Sequence, residues 1–148
     1  MNERVNVVRP SDGADPSIAI TPASAGWAHL SFAVRDVDVG GGWRDADATH
    51  ERCLVVMSGD VVFEVAGETH VVRGRESVFG GLPHALYLPP GVECDVTARS
   101  SAVVGIGKAP AAGKLAPRFI TPADVTVEIR GGHNVERQIT HVVDPGQA

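Results

Sequence analysis

The chain reads as all-β, a small β-barrel or sandwich preceded by an extended amino-terminal arm. Three observations carry that expectation. Between residues 50 and 91, short apolar runs are cut at close spacing by Ser58-Gly59-Asp60, Ala66-Gly67-Glu68, Arg73-Gly74-Arg75, Gly80-Gly81-Leu82-Pro83 and Pro89-Pro90-Gly91. This is the rhythm of strands joined by tight turns. Elsewhere apolar and polar residues alternate, as Leu30, Phe32 and Val34 do with His29, Ser31 and Arg35, which is the period of a half-buried strand. No long segment carries the 3.6-residue period of an amphipathic helix.

The elements follow in order. Residues 1–26 form the arm, with Ile18-Ala19-Ile20 as an edge strand among prolines that cannot donate to a ladder. Residues 27–148 form one domain. Its first strand, 27–39, ends at Gly40-Gly41-Gly42, and residues 43–49 read as a polar loop. Strands are expected at 52–57, 61–66, 69–73, 75–79, 84–88 and 92–98, then from Ala102 to Lys108. The Pro/Ala/Gly-rich stretch 109–117 reads as a crossing linker. Three further strands follow: Arg118 to Ile120, Val125 to Arg130 and Val135 to Val143, with one helical turn at Pro122-Ala123-Asp124.

A chain of 148 residues with 43% apolar and 21% charged residues suits one globular core. The formal charge of −5, without a basic run, argues against a nucleic-acid surface. No apolar stretch approaches the roughly 18 residues that span a bilayer, and no membrane role is expected. The opening Met1 to Asn6 has an early acid and no apolar core, unlike a secretory signal. Cys53 and Cys94 make neither a CxxC pair nor a disulfide framework, so a reducing, cytoplasmic setting is expected.

Three clusters carry a more specific likeness: Gly74-Arg75-Glu76-Ser77-Val78-Phe79, Tyr87-Leu88-Pro89-Pro90-Gly91, and Arg130-Gly131-Gly132-His133-Asn134 with Arg137-Gln138. Their order and spacing resemble the first half of the 5-deoxy-glucuronate isomerases, two-cupin enzymes of bacterial myo-inositol catabolism. The likeness covers about residues 27–143. It implies a cupin-type jelly roll, and it implies isomerisation of an open-chain uronic acid between aldose and ketose forms. It places the divalent metal in a second cupin, held by histidines and a glutamate, so no cofactor is expected in this half. It also implies that this half alone has little or no activity. The alternative is a stand-alone, metal-free cupin that binds a small sugar acid or a partner protein.

The cupin metal signature can be tested on the sequence. It runs G-x5-H-x-H-x3-4-E-x6-G and then G-x5-P-x-G-x2-H-x3-N, which sets three imidazoles and a carboxylate on one inward surface. Anchored on Gly59, the histidine positions fall on Ala46 and Ala48 and the glutamate position on Arg52. Anchored on Pro89-Pro90-Gly91, the last histidine position is Cys94 and the asparagine position is Ala98. A guanidinium at Arg52 repels a cation, so no metal site is expected.

Strand parity turns His50, Arg52, Leu54 and Val56 inward together with Cys94. His50, Arg52 and Cys94 are therefore the candidate substrate-binding residues, with the two cations able to hold a carboxylate. The competing reading has Arg52 reaching to the barrel mouth and His50 in solvated loop. A metal site from His50, His84 and Cys94 matches no known spacing. Cys94, between Glu93 and Asp95, reads as a small buried residue rather than a nucleophile. His84, after Pro83, reads as a turn residue, and Arg73 and Arg75 as solvated hairpin residues. Arg130 to Asn134 is either a β-turn or an anion-binding glycine turn. Trp27 and Trp43 read as core or interface side chains. An isolated half leaves bare the apolar surface that its sister should cover. The expected partner is a second cupin domain or, in its place, a second copy in a two-fold homodimer.

Overall fold

Alternation puts every second residue of a strand on one face, and the fold forms where two such faces meet. In the computed structural model, which describes residues 7–113 and 115–144, twelve strands and one short helix are ordered along the chain. The strands are β1 (Ile18–Ile20), β2 (Ser31–Val37), β3 (Gly42–Asp45), β4 (His50–Ser58), β5 (Val61–Val65) and β6 (Glu68–Val72). They continue with β7 (Ala85–Leu88), β8 (Cys94–Ala98), β9 (Ala102–Pro110), β10 (Arg118–Ile120), β11 (Thr126–Gly132) and β12 (Val135–His141). Helix α1 is Pro22–Ala25, capped by the Thr21 hydroxyl at one end and left-handed Gly26 at the other.

The strands form a six-stranded sheet, β1-β2-β9-β4-β7-β10, a four-stranded sheet, β3-β8-β5-β6, and the separate hairpin β11-β12. All pairings are antiparallel. The two larger sheets pack face to face as a jelly-roll sandwich rather than closing into one continuous barrel. Their inner faces meet in one cluster: Leu54, Val56, Leu86, Leu88, Val104 and Ile106 from one sheet, Val61, Phe63, Val65, Val72, Cys94 and Val96 from the other. Along β4 the burial alternates, with Arg52, Leu54 and Val56 buried between half-buried neighbours.

The all-β, jelly-roll expectation stands, and Ile18–Ile20 is an edge strand as read. Three local expectations need correction, and residues 1–6 of the arm lie outside the described chain. Residues 43–49 are not all loop. Trp43 to Asp45 pair in register with Val96 to Cys94, and the alternation over four residues was too short to see past two charges. Residues 75–79 form bends and a turn, not a strand. The reason is Arg75: its guanidinium donates to the carbonyls of Met57, Val78 and Gly81 and curls the segment around itself. Arg75 is thus a half-buried anchor rather than a solvated residue.

That segment is pinned to the β4–β5 turn. The Gly59 N–H donates to the Arg75 carbonyl at 3.0 Å, and the Gly74 N–H donates to Asp60 Oδ1 at 2.9 Å. A Cβ on Gly74 would lie 1.7 Å from the Gly59 carbonyl oxygen, so only glycine allows the approach. Gly74→Ala is expected to lower stability by roughly 2–3 kcal/mol, since the backbones must part. Gly107→Ala, which meets nothing within 4 Å, is expected to leave stability at or above wild type. Urea denaturation of the two variants checks both.

Candidate functional site

The chemistry-bearing residues gather where β3 hands over to β4. Asp47-Ala48-Thr49 is an aspartate turn, with the Asp47 carboxylate folding back on the backbone just after it. Asp47 Oδ1 accepts from the N–H groups of Thr49 and His50, each at 3.0 Å, and lies 3.0 Å from His50 Nδ1. Asp47 Oδ2 lies 3.4 Å from Lys108 Nζ on β9. Burial acts to raise the Asp47 pKa, but hydrogen bonds from Thr49 and His50 outweigh it and hold the carboxyl well below its usual range.

Behind this mouth sits Arg52, only 2% exposed. Its Nε approaches Asp45 Oδ1 at 2.7 Å, too bent for a hydrogen bond, so the contact is an ion pair. Its Nη1 donates to the Asp47 carbonyl at 2.8 Å and the His50 carbonyl at 3.3 Å, and its Nη2 donates to the Val92 carbonyl. Asp45 lies opposite Cys94 in the β3–β8 register. Cys94 is buried, and its thiol is pushed up to about 12 by burial and by the Asp45 charge.

The structure therefore brings two sequence candidates, Arg52 and Cys94, together around Asp45, and sets His50 at the partly exposed rim above them. Arg52 does not reach to the mouth; its charge meets a carboxylate and its N–H groups meet carbonyls of this chain. The donor set at the cupin ligand positions does not fit a divalent ion. Ala46 and Ala48 are exposed loop residues, and Arg52 and Cys94 offer a buried guanidinium and a protonated thiol. His84 lies apart from this cluster. Its imidazole stacks on Phe119 at 5.9 Å, as does that of His70 at 4.5 Å, and burial lowers the His84 pKa. Among the described residues, no group of three or more His, Cys, Asp or Glu is arranged to hold a metal.

Other motifs resolve into structure. Arg130 to Asn134 is the end of the β11–β12 hairpin, with His133 at φ 59° in its two-residue turn. Trp43 packs on the core beneath Arg35, whose guanidinium carbon lies 4.9 Å from the ring centre. Sequence reasoning missed Asp45, Asp47 and Lys108. The signal for Asp47 was present, since Asp-x-Thr before a strand is an aspartate turn. Asp45 was hidden with β3.

The buried pair makes a sharp expectation. Asp45→Ala should cost about 3–5 kcal/mol by stranding the Arg52 charge, and Asp45→Leu combined with Arg52→Met should recover most of it. Thermal melts of the singles and the double check this. The Asp47 shift sets a pH dependence. A depressed carboxyl contributes stability that is full above the unfolded value of about 3.9 and is lost as pH falls from there toward the folded value. Wild type should therefore lose stability below about pH 4, and Asp47→Asn should lose less over the same window. Denaturation midpoints measured from neutral pH downward test the sign.

Comparison with known proteins gives the family and the fold. The chain is 32% identical over 148 residues to a 5-deoxy-glucuronate isomerase of Geobacillus kaustophilus, covering 99% of this chain and 50% of the relative. It is 32% identical to the enzyme of the same name from Geobacillus thermodenitrificans, covering 96% of this chain and 49% of the relative. The chain thus spans about half the length of the curated relatives it matches. A crystal structure of an IolB-like protein from Salmonella typhimurium superposes with a TM-score of 0.86 at 28% identity, over 92% of this chain and 52% of that one. A glyoxylate-induced protein from Pseudomonas aeruginosa shares the fold alone, with a TM-score of 0.60 at 16% identity over 78% of this chain and 43% of that one. The fold is a cupin-type jelly roll. The sequence matches the KduI/IolB family over residues 6–148, and the chain belongs to that family.

Proposed function

We propose that this chain is the scaffold half of an isomerase of the 5-deoxy-glucuronate type, acting on an open-chain uronic acid in cytoplasmic inositol catabolism. The relatives that support this reading are about twice its length. Moving a carbonyl between neighbouring carbons needs an electrophile for two oxygens and a base that shuttles a proton. The observation that carries the reading is the buried pair of Arg52 with Asp45, which fills the inward position where such chemistry would be placed. A guanidinium in contact with a carboxylate and three carbonyls has no free face for substrate. This half supplies a rigid wall, and the reacting groups belong to the second half. At the wall's rim, the imidazole of His50 and the ammonium of Lys108 remain partly exposed, with 32% and 40% of their side chains accessible. Any contact this half makes to a uronate carboxylate falls to them.

The test is an isomerase assay with 5-deoxy-glucuronate on three samples: the 148-residue chain, the chain fused to the second half of the Geobacillus kaustophilus relative, and that relative intact. Turnover is expected in the fusion and the relative, and none above background in the chain alone. In the fusion, His50→Ala with Lys108→Ala should raise KM with little change in kcat. Turnover by the chain alone at a rate near that of the relative would overturn the proposal.

A further inference from the structure

The two sheets present unlike outer faces. That of the four-stranded sheet is largely polar, with Arg44, Glu64, Thr69, Asp95 and Thr97, and Arg44 pairs with Glu93 and Asp95. On the six-stranded sheet, one rung of paired residues runs outward through Ile20, Phe32, Gly107, Cys53, Tyr87 and Arg118. The next rung is Ile18, Val34, Gly105, Val55, Ala85 and Ile120, partly covered by Val125, Val142 and Leu82. Along the first rung lies a hollow of about 450 Å³, lined among others by Trp27, Leu30, Phe32, Glu51, Tyr87 and Gly107. One wall is firm, because Cys53 and Tyr87 pack against the cluster of Ala85, Ile120 and Val125. The other wall is Trp27, Leu30 and Phe32, of which Trp27 is 47% exposed.

Charge and shape together narrow what this hollow can take. The Tyr87 hydroxyl donates to Glu51 Oε2 at 2.9 Å. Burial and the Glu51 carboxylate push the Tyr87 pKa up to about 12, so the phenol stays a neutral donor. Glu51 has no ion pair among the described residues. Lys108 lines the hollow through its strand, but its side chain has the inward parity of Arg52 and its ammonium lies 3.4 Å from Asp47 Oδ2. Arg118, the one cation of the rung, stands beyond Tyr87 and lies 3.8 Å from Asp124. The hollow thus offers three aromatic rings and a carboxylate without a counter-ion, a combination that attracts an organic cation. Gly107 completes it. Its pairing is in register, its φ is not positive, and a Cβ there would meet nothing within 4 Å. At Gly105, by contrast, a Cβ would lie 3.1 Å from Met57 Sδ, so the fold itself accounts for that glycine. A strand glycine that the fold does not require marks the close approach of a ligand. We propose that the hollow binds a small organic ammonium ion, with its apolar body on Gly107 between the rings and its charged head against Glu51. The volume falls within the range of about 300–1,000 Å³ usual for small-molecule sites. Such sites favour boundaries between domains, so the hollow is compatible with a neighbouring barrel on the rung beside it.

This site lies on the opposite side of the sheet from Arg52 and does not depend on the scaffold reading. Isothermal titration of the chain with phenethylamine at neutral pH should give a dissociation constant below about 1 mM. Phenethyl alcohol, neutral and of the same shape, and phenylacetate, of opposite charge, should each bind more than about tenfold more weakly. Glu51→Gln keeps the acceptor for Tyr87 but removes the charge, and should weaken phenethylamine by more than about tenfold. Gly107→Leu should abolish binding by filling the floor, and Trp27→Ala, at an exposed position, should weaken it without touching a strand. All three variants should keep the circular dichroism and melting of wild type, because each side chain points away from the core. No heat with phenethylamine up to about 10 mM would overturn the proposal. So would equal binding of the alcohol, or undiminished binding by Glu51→Gln. Loss of binding in the chain fused to the second half of the Geobacillus kaustophilus relative would also overturn it, by assigning the hollow to that half.

Discussion

A guanidinium cannot lose its charge at any ordinary pH, so burying one commits the surrounding chain to neutralise it and to satisfy its donors. The arrangement around Arg52 is that commitment. Asp45 is drawn in from β3, the carbonyls of Asp47 and His50 turn inward from the loop and from β4, and Val92 supplies a carbonyl from the far side of the β7–β8 connection. Four separate pieces of backbone are tied to one side chain. The aspartate turn at Asp47 then has a fixed carbonyl to hold, and the Gly91 N–H bonds to that same carbonyl at 2.8 Å. Behind the mouth the polar groups are committed to one another, while His50 and Lys108 stay partly exposed at its rim.

This commitment explains the chemical character of the half. In a metal-binding cupin, the inward surface must present lone pairs to a cation and leave coordination positions open. Here the same surface presents donors, and the acceptors that meet them come from this chain. Cys94, beside the pair, is held as a thiol by burial and by the Asp45 charge, so it offers no soft anionic ligand. The rest of the interior is packed with Leu, Val, Ile and Phe. A cavity filled in this way is close-packed rather than open to a ligand, which supports the proposed scaffold role.

Much of the fold was legible because its strands obey strict alternation and its turns carry glycine at fixed points. β4 is the clearest case: parity alone turns Arg52, Leu54 and Val56 to one side, and burial follows that order. The segments that escaped were those where a side chain overrides the pattern. Arg75 captures three carbonyls and bends a stretch whose residues read as a strand. Trp43 to Asp45 looked like loop because two of three residues are charged, although one of those charges is the buried partner of Arg52. Pairwise geometry of that kind has no signature in a single sequence. Arg52 could be read as inward, but the carboxylate seven residues before it could not be read as its counter-ion until β3 and β4 were seen side by side.

The contrast between the two outer faces completes the argument about where function lies. On a free-standing sandwich both outer faces meet water, and selection against edge and face association favours polar residues on each. Here only the four-stranded sheet follows that rule. The six-stranded sheet carries apolar rungs on its outer face as well as its inner one, Arg118 and Glu51 aside, like the middle layer of a three-layer structure. A middle layer is useful only in company. With Arg52 and Asp45 filling the inward position and apolar rungs on the outer face of the six-stranded sheet, the proposed scaffold role amounts to a surface against which another barrel is held in a fixed orientation. Preorganising a neighbour in this way is itself a contribution to catalysis, because reacting groups held within a fraction of an ångström depend on the rigidity of whatever stands behind them.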